Sequence, residues 1–276
     1  MPGDSRGQAK IREIESATNP LVKVFRRALD EGVTRDGLLA VEGPHLLDEA
    51  LAASPRTTVQ SVLIARGSQE KFTKLLERLP MESEVASIPD RLFAKMAQTE
   101  STQGIAALVE LYRDDLTAVL ARPNAIVLVA CGLQEPGNLG SIMRSAQALG
   151  ASALVTLEET VNPFNPKAVR ASAGAVFHLP IIAGEKAPSL FPRLRAAGVA
   201  IAAADRHSPS PLAQADLRGS VAFLIGKEAT GLRPEILREA DLLLSIPIHP
   251  EADSVNAAAA AGIFLYEAAR QRGFKF

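Results

Sequence analysis

The C-terminal half of the chain carries short, uninterrupted apolar runs that stop at a glycine or a turn and lead into helix-like segments. The clearest are residues 125–131 and 220–225. Continuous apolar runs of this length are typical of strands that are buried on both faces of a parallel sheet. Strands that alternate with helices predict an α/β fold with such a sheet. Because open parallel sheets bind ligands at the carboxyl ends of their strands, we expect a site in the loops that follow these runs.

The loop after residue 225 has the features of a ligand-binding loop. Gly226 and Gly231 would let the backbone approach a ligand closely, and Glu228 lies between them. After a second strand-like run, residues 241–247, a polar loop leads to Ser254 and Asn256 and then to a long alanine-rich helix. A few convergent polar groups beside apolar strands are what a small-molecule site requires.

Three motifs in this half resemble those of a known family. They are Asn138-Leu-Gly-Ser-Ile-Met-Arg144, Gly226-x-Glu228-x-x-Gly231, and Ile246-Pro247 followed by Ser254-x-Asn256. In this order and at roughly this spacing they resemble the motifs of the SpoU/TrmH branch of the SPOUT methyltransferases. The resemblance implies methyl transfer from S-adenosylmethionine to a ribose 2′-hydroxyl in ribosomal or transfer RNA. It also implies a deep trefoil knot in the C-terminal domain and a homodimer.

The resemblance assigns residues to the site. It implies a cofactor site formed by Leu224, Ile225, Gly226, Gly231, Ile246, Pro247 and Val255, and a polar catalytic set of Asn138, Arg144, Glu228, Ser254 and Asn256. Arg144 would help to activate the ribose hydroxyl. Because a guanidinium stays protonated at neutral pH, it is a poor base. It can instead hold a phosphate or stabilise the forming alkoxide, and both roles remain open. Asn138 and Asn256 can also act as helix caps.

The N-terminal half predicts a smaller α/β unit. Ser16-x-x-Asn19-Pro20-x-x-Lys23, Val41-Glu42-Gly43 and Gln103-Gly104-Ile105-Ala106 resemble the L30e-like substrate-binding domain that precedes many of these methyltransferases. We therefore divide the chain into an L30e-like domain (residues 9–112), a linker (113–123) and a methyltransferase domain (124–274). The resemblance implies that Lys23 and Arg35 contact RNA phosphates, with Arg26 and Arg27 beside them. The alternative is that these are solvated residues of an amphipathic helix.

Residues 162–174 resemble a further recurrent feature of the family. Lys167 and Arg170 lie where a helix is predicted to begin at Pro166, and an exposed basic pair there can contact phosphate. The alternative is incidental surface charge. The apolar residues 176–180 predict a short strand, and residues 205–207 are expected at the edge of the pocket.

Composition limits the partners and the compartment. The net charge of −1 gives no support to RNA binding, although 30 Lys and Arg can still be arranged on one face. The single cysteine, Cys131, excludes an intramolecular disulfide framework and predicts a buried thiol in a reducing compartment. Four scattered histidines predict no metal site, and no apolar run is long enough to span a membrane. The first residues lack the apolar segment of a secretory signal, so we expect a cytoplasmic protein.

Two other functions compete with this interpretation. The glycine spacing of residues 226–231 is that of a P-loop, but Leu232-Arg233 follows in place of Lys-Ser/Thr. A catalytically silent RNA-binding protein on the same fold remains an alternative. Among RNA substrates, ribosomal RNA is favoured over transfer RNA because the front domain resembles that of ribosomal enzymes.

Overall fold

The computed structural model describes residues 11–99, 101–227 and 230–275. The chain divides into two compact units. One contains the chain up to Tyr112 together with Phe164–Pro166, and the other contains Arg113–Pro163 and the chain from Lys167 onward.

The N-terminal unit is built on a mixed five-stranded sheet in the order β1-β4-β3-β5-β2. Its strands are β1 (Arg12–Glu13), β2 (Leu39–Glu42), β3 (Thr57–Ala65), β4 (Glu84–Ile88) and β5 (Ile105–Leu111). Its helices are α1 (Pro20–Glu31), α2 (Pro44–Ala52), α3 (Thr73–Leu76) and α4 (Asp90–Ala94). Strand β5 is antiparallel to β2 and β3, and the other pairs are parallel. The small α/β unit predicted here is confirmed.

Helix α1 begins where the sequence predicts it. Asn19 Oδ1 accepts a hydrogen bond from the Leu21 N–H at 3.0 Å, and Pro20 occupies the first helical position. Val22 and Phe25 are fully buried against the sheet. Lys23 lies on the opposite, exposed face. The helix therefore buries its apolar side and presents its basic side to solvent.

The C-terminal unit contains a six-stranded sheet in the order β11-β9-β10-β6-β7-β8, in which every pair is parallel. Its strands are β6 (Ile126–Ala130), β7 (Ala153–Leu157), β8 (Ile181–Glu185), β9 (Ala200–Ala204), β10 (Val221–Ile225) and β11 (Leu242–Leu244). The helices from residue 113 on are α5 (Leu116–Leu120), α6 (Pro136–Ala148), α7 (Pro166–Ala171), α8 (Ala175–His178), α9 (Ala187–Ala196), α10 (Pro234–Leu237) and α11 (Ala257–Gln271). The predicted α/β fold with a parallel sheet is confirmed.

The central strands are covered on both faces, as their continuous apolar sequences predict. Val127 and Leu224 belong to one buried cluster. Phe223 of β10 points to the other face and packs edge-on against Phe264 of α11, with ring centroids 5.4 Å apart. Helix α11 packs on β10 and on α6, and its small residue Ala261 is fully buried. The trefoil knot in this domain stays a prediction.

The predicted strand at residues 176–180 is wrong. These residues lie mainly in the short helix α8, and the strand of this region, β8, begins at Ile181. Gly174 precedes α8 in the left-handed conformation, and Val176 and Phe177 are buried. A short apolar run fits a buried helix turn as well as a strand, so periodicity could not separate the two. In the described residues no helix is both long and apolar enough to cross a bilayer.

Candidate active site

A cavity of about 250 Å³ lies at the carboxyl ends of β9, β10 and β11, where the parallel sheet predicts a ligand. One side is formed by the loop after β10 and another by the segment between β11 and α11. The third side is residues 204–207 at the end of β9, as the sequence predicted. Phe264 of α11 also reaches the cavity.

The loop after β10 requires glycine at both of its ends. The Lys227 N–H donates to the Gly231 carbonyl at 3.2 Å, and the Gly231 N–H donates back at 2.9 Å. A Cβ on Gly226 would lie 2.4 Å from the Gly231 carbonyl carbon and 2.6 Å from the Leu232 nitrogen. Gly231 itself has a φ of +67°, a conformation that costs other residues energy. The loop can therefore close on itself only with glycine at these positions.

The cavity contains five of the residues assigned to the cofactor. They are Ile225, Gly226, Gly231, Ile246 and Val255. Leu224 is fully buried within β10 and Pro247 is exposed, and neither lines the cavity. The lining thus combines apolar side chains with main-chain groups of a tight loop, which suits a ligand with a flat apolar part.

Two asparagines join α6 to the start of α11. Asn256 Oδ1 accepts from the N–H groups of Ala258 and Ala259 at 2.8 and 3.3 Å, so its predicted role as a helix cap is confirmed. Its Nδ2 donates to Asn138 Oδ1 at 3.1 Å. Ser254, two residues before Asn256, lines the cavity. The bridge therefore fixes the position of α11 beside the cavity.

The predicted cap role of Asn138 is wrong. Helix α6 begins at Pro136, and Glu135 occupies the cap position without a side-chain hydrogen bond. Proline is pre-organised for the first helical position, so the helix starts two residues earlier than the motif suggests. Asn138 lies inside the first turn, where its side chain is available for the bridge to Asn256.

Arg144 lies further along α6 and is exposed. No hydrogen bond or ion pair joins it to another residue within the part of the chain that the structure describes. Its neighbour Ser145 faces Gly262 of α11, whose Cβ, if present, would lie 3.9 Å from Ser145 Oγ. Arg144 is thus held beside the α6–α11 contact with its guanidinium in solvent. Glu228 lies outside the described residues.

The loop after β6 is held by the loop after β7. The Gly132 N–H donates to Thr160 Oγ1 at 2.9 Å, and Thr160 Oγ1 donates to the Ala130 carbonyl at 2.8 Å. The aliphatic part of Lys227 lies over Gly132, with Cε 2.9 Å from the place of a Cβ. These contacts were not predicted from the sequence, because they join segments about 30 and 95 residues apart.

Cys131 directly follows β6 and is buried, so the predicted buried thiol is confirmed. Burial raises the pKa of its thiol to about 12. The thiol is therefore neutral and inert in the folded protein. Among the described residues, no group of His, Cys, Asp and Glu is arranged to hold a metal ion.

The predicted RNA-contacting residues lie in both units. Lys23 on α1 and Arg35 in the turn before β2 are exposed. Lys167 is exposed and Arg170 half-buried on α7. Arg27, a neighbour of Lys23 in sequence, forms an ion pair with Glu31 at 2.8 Å.

Comparison with known proteins identifies both halves. The family described as "SpoU rRNA Methylase family" matches residues 125–266, and "RNA 2'-O ribose methyltransferase substrate binding" matches residues 40–114. The chain is 31% identical over 257 residues to the Bacillus subtilis 23S rRNA (guanosine(2553)-2'-O)-methyltransferase RlmP, covering 93% of this chain and 98% of that protein.

Two solved structures bear on the site. An AdoMet-bound rRNA methyltransferase from Sinorhizobium meliloti is 30% identical, with a TM-score of 0.81 over 96% of this chain and 98% of that one. A second structure, described as giving insights into the 2-OH methylation of C/U34 on tRNA, is 28% identical to this chain. Its TM-score is 0.51, over 55% of this chain and 98% of that one. With both family models and a nearly full-length relative in agreement, the chain belongs to the SpoU family of S-adenosylmethionine-dependent RNA 2′-O-ribose methyltransferases.

Proposed function

We propose that this protein methylates a ribose 2′-hydroxyl in ribosomal RNA at the cavity closed by Gly226 and Gly231. The observation that carries the proposal is the position of this cavity beside the Asn138–Asn256 bridge, which brings the three sequence motifs together. Ribosomal RNA is favoured over transfer RNA by the extent of the similarity. The Bacillus subtilis and Sinorhizobium meliloti rRNA methyltransferases match more than nine-tenths of this chain, whereas the protein associated with tRNA matches 55% of it.

The cavity fits S-adenosylmethionine. Because Gly226 has no side chain, the loop folds back tightly on Gly231, and both glycines line the cavity with main chain alone. Ile246 and Val255 offer apolar contacts, and main-chain groups of the loop offer hydrogen bonds. When bound, S-adenosylmethionine supplies a methyl group on a sulfonium. This chain's own residues bind the donor, hold the ribose in line with it and exclude water.

We assign the ribose side of the site to α6 and the start of α11. Arg144 is exposed and forms no hydrogen bond or ion pair within the described residues. Its guanidinium would hold an RNA phosphate or stabilise the forming alkoxide. Asn138 and Asn256 would position the two helices, and Ser254 would contact the substrate from the cavity wall. Glu228 would orient Arg144, a role that rests on the motif alone.

RNA docking is proposed for Lys and Arg side chains of both units. Lys23 and Arg35 form no ion pair within the described residues, so their charges remain available to phosphates, unlike that of Arg27. Lys167 and Arg170 would contact the backbone near the site. Such contacts position the RNA without reading its sequence, and they make binding sensitive to salt.

A homodimer is proposed from an exposed apolar surface along α11. Ile263 and Tyr266 are 39% and 52% exposed, and Tyr266 packs against Phe274 with ring centroids 5.6 Å apart. Because α11 begins beside the cavity, a second copy on this surface would lie near the site. We expect light scattering to give a dimer for the wild type and a monomer for Tyr266→Asp. A monomeric wild type would contradict the proposal.

We place the enzyme in the cytoplasm, where its RNA substrate is.

The function is tested by incubating the purified protein with tritiated S-adenosylmethionine and either ribosomal or transfer RNA. We expect incorporation into ribosomal RNA at a single nucleotide, resistant to alkaline cleavage on its 3′ side because the 2′-hydroxyl is methylated. Incorporation confined to transfer RNA would overturn the choice of substrate. If the protein bound RNA but not the methyl donor, the silent RNA-binding alternative would be correct.

A further inference from the structure

The loop of residues 249–254, which ends at Ser254 shortly before α11, forms few hydrogen bonds to other segments. The Ala252 N–H donates to the His249 carbonyl at 2.9 Å, and the Glu251 N–H donates to His249 Nδ1 at 3.3 Å. Both bonds lie inside the loop. The carboxylate of Glu251 is 4.0 Å from the same imidazole, and both side chains are highly exposed. Nothing in these contacts fixes the loop against the sheet.

Arg206 provides the contact to the sheet. Its Nη1 donates to the main-chain carbonyl of Asp253, the residue before Ser254, at 2.8 Å. Within the described part of the chain, this is the one hydrogen bond that joins residues 249–254 to another segment. Arg206 and Ser254 both line the cavity. One guanidinium therefore links two of the three cavity walls.

The turn that carries Arg206 is held by hydrogen bonds to β11. The Asp205 N–H donates to the Leu244 carbonyl at 3.0 Å, and Ser208 Oγ donates to the Leu243 carbonyl at 2.6 Å, which ties this turn to β11. The Arg206 Nε donates to His207 Nε2 at 3.0 Å, which orients the guanidinium. His207 accepts this bond only as a neutral imidazole with its proton on Nδ1.

We infer that Arg206 is a positioning residue that fastens the 249–254 loop over the cavity and so raises the affinity for the methyl donor. This inference rests on the proposed function for its ligand, but the contact itself does not. A loop that is already held in place loses less conformational entropy when the ligand binds. Asn256 is fixed separately by its cap bonds and by Asn138, and a bound donor would itself hold the loop that carries Ser254, so kcat at saturating donor should depend little on Arg206.

The variants Arg206→Ala, Arg206→Lys and Asp253→Ala separate this role from others. Loss of a charge-assisted hydrogen bond at an exposed site corresponds to about tenfold in an equilibrium constant. We expect Arg206→Ala to raise the dissociation constant and the KM for S-adenosylmethionine about tenfold, with kcat within about twofold of wild type. Arg206→Lys keeps one donor and should recover most of the affinity. Asp253→Ala keeps the carbonyl that accepts the bond and should bind like wild type.

Arg218→Ala is the matched control. Arg218 is an exposed arginine of the same domain that pairs with Asp216 away from the cavity, at 2.8 Å. Calorimetric titration with S-adenosylmethionine gives the affinities, and amide hydrogen exchange of residues 249–256 without any ligand reports the loop. We expect faster exchange in Arg206→Ala and unchanged exchange in Arg218→Ala.

The outcomes distinguish the inference from the proposed function. Wild-type affinity and wild-type exchange in Arg206→Ala would overturn the inference. So would an Asp253→Ala defect equal to that of Arg206→Ala, because an ion pair and not the main-chain bond would then matter. A wild type that does not bind the donor would overturn the proposed function, and the exchange measurement would still test the loop contact.

Discussion

The Asn256 side chain performs two tasks that one substitution can separate. Its Oδ1 caps α11, and its Nδ2 donates to Asn138 at 3.1 Å. Asn256→Asp keeps the capping oxygen but removes the donor. Asn138 Oδ1 then loses the bond from Asn256, or the Asn138 amide rotates to donate to the new carboxylate, and either change alters the polar edge beside the cavity. Asn256→Ala removes the cap and the bridge together.

The expected effects on stability differ. For Asn256→Ala, loss of the cap costs about 1 kcal/mol and loss of the bridge about 1 kcal/mol. The sum corresponds to a fall in Tm of about 4–8 °C for a chain of this size. For Asn256→Asp, the new negative charge at the start of α11 stabilises the helix by about 0.3–1 kcal/mol, which offsets much of the lost bridge. Its Tm should stay within about 4 °C of wild type.

The expected effects on activity are similar for both variants. Because the bridge positions α6 against α11, we expect kcat at saturating donor to fall about 10- to 100-fold in each. Methyl incorporation gives kcat, and thermal unfolding followed by circular dichroism gives Tm. Asn19→Asp is the control, since Asn19 also caps a helix but belongs to α1 in the N-terminal unit. An Asn256→Asp enzyme with wild-type kcat would refute the reasoning, because the cap alone would then suffice.

Three further substitutions or treatments test the site. Arg144→Ala should lower kcat about 10²- to 10⁴-fold and leave the affinity for the donor unchanged, and methyl transfer within tenfold of wild type would remove Arg144 from the mechanism. Gly226→Ala places a Cβ 2.4 Å from the backbone of Gly231, which should destabilise the fold by about 1–3 kcal/mol. It should also abolish donor binding, measured by calorimetry. Gly219→Ala is the control, since a Cβ there has nothing within 4 Å and the change should be neutral. Cys131, whose pKa is raised to about 12, should resist iodoacetamide at pH 8 in the folded protein and react once the protein is unfolded. The stability of the fold should also decline as the pH rises above the ordinary thiol pKa of about 9, because only the unfolded state then releases the proton. Rapid labelling of the native protein would show that the thiol is not buried.

The strands could be predicted best where burial on both faces leaves a continuous apolar sequence. Residues 125–131 and 220–225 contain β6 and β10, which are neighbours in the centre of the sheet. Their pairing joins residues that are 95 positions apart, and no local pattern encodes it. The error at residues 176–180 has the opposite cause. A run of five residues fits the period of a helix as well as that of a strand. The helix is distinguished by the left-handed Gly174 before it and by the pairing of β7 with a strand that begins only at Ile181.

The site could be predicted to the extent that it depends on steric requirements. Gly226 and Gly231 are marked in the sequence because no other residue fits a close backbone approach or a positive φ. The hydrogen bonds are not marked in this way. Asn256 and Asn138 are 118 residues apart, and Arg206 and Asp253 are 47 apart. The motifs name both asparagines, but only the fold shows that they contact each other, and Arg206 belongs to none of the motifs.

Net charge failed as a predictor for a related reason. A balance of −1 argues against RNA binding only if charges of both signs are spread evenly over the surface. In this chain several arginines have an acidic partner, as Arg27 has Glu31 and Arg218 has Asp216. An RNA phosphate is therefore attracted less by these arginines than by cations without such a partner, such as Lys23 and Arg35 within the described residues. If that local field docks the RNA, replacing Lys23 and Arg35 should weaken RNA binding and its salt dependence more than replacing Arg27 and Arg218.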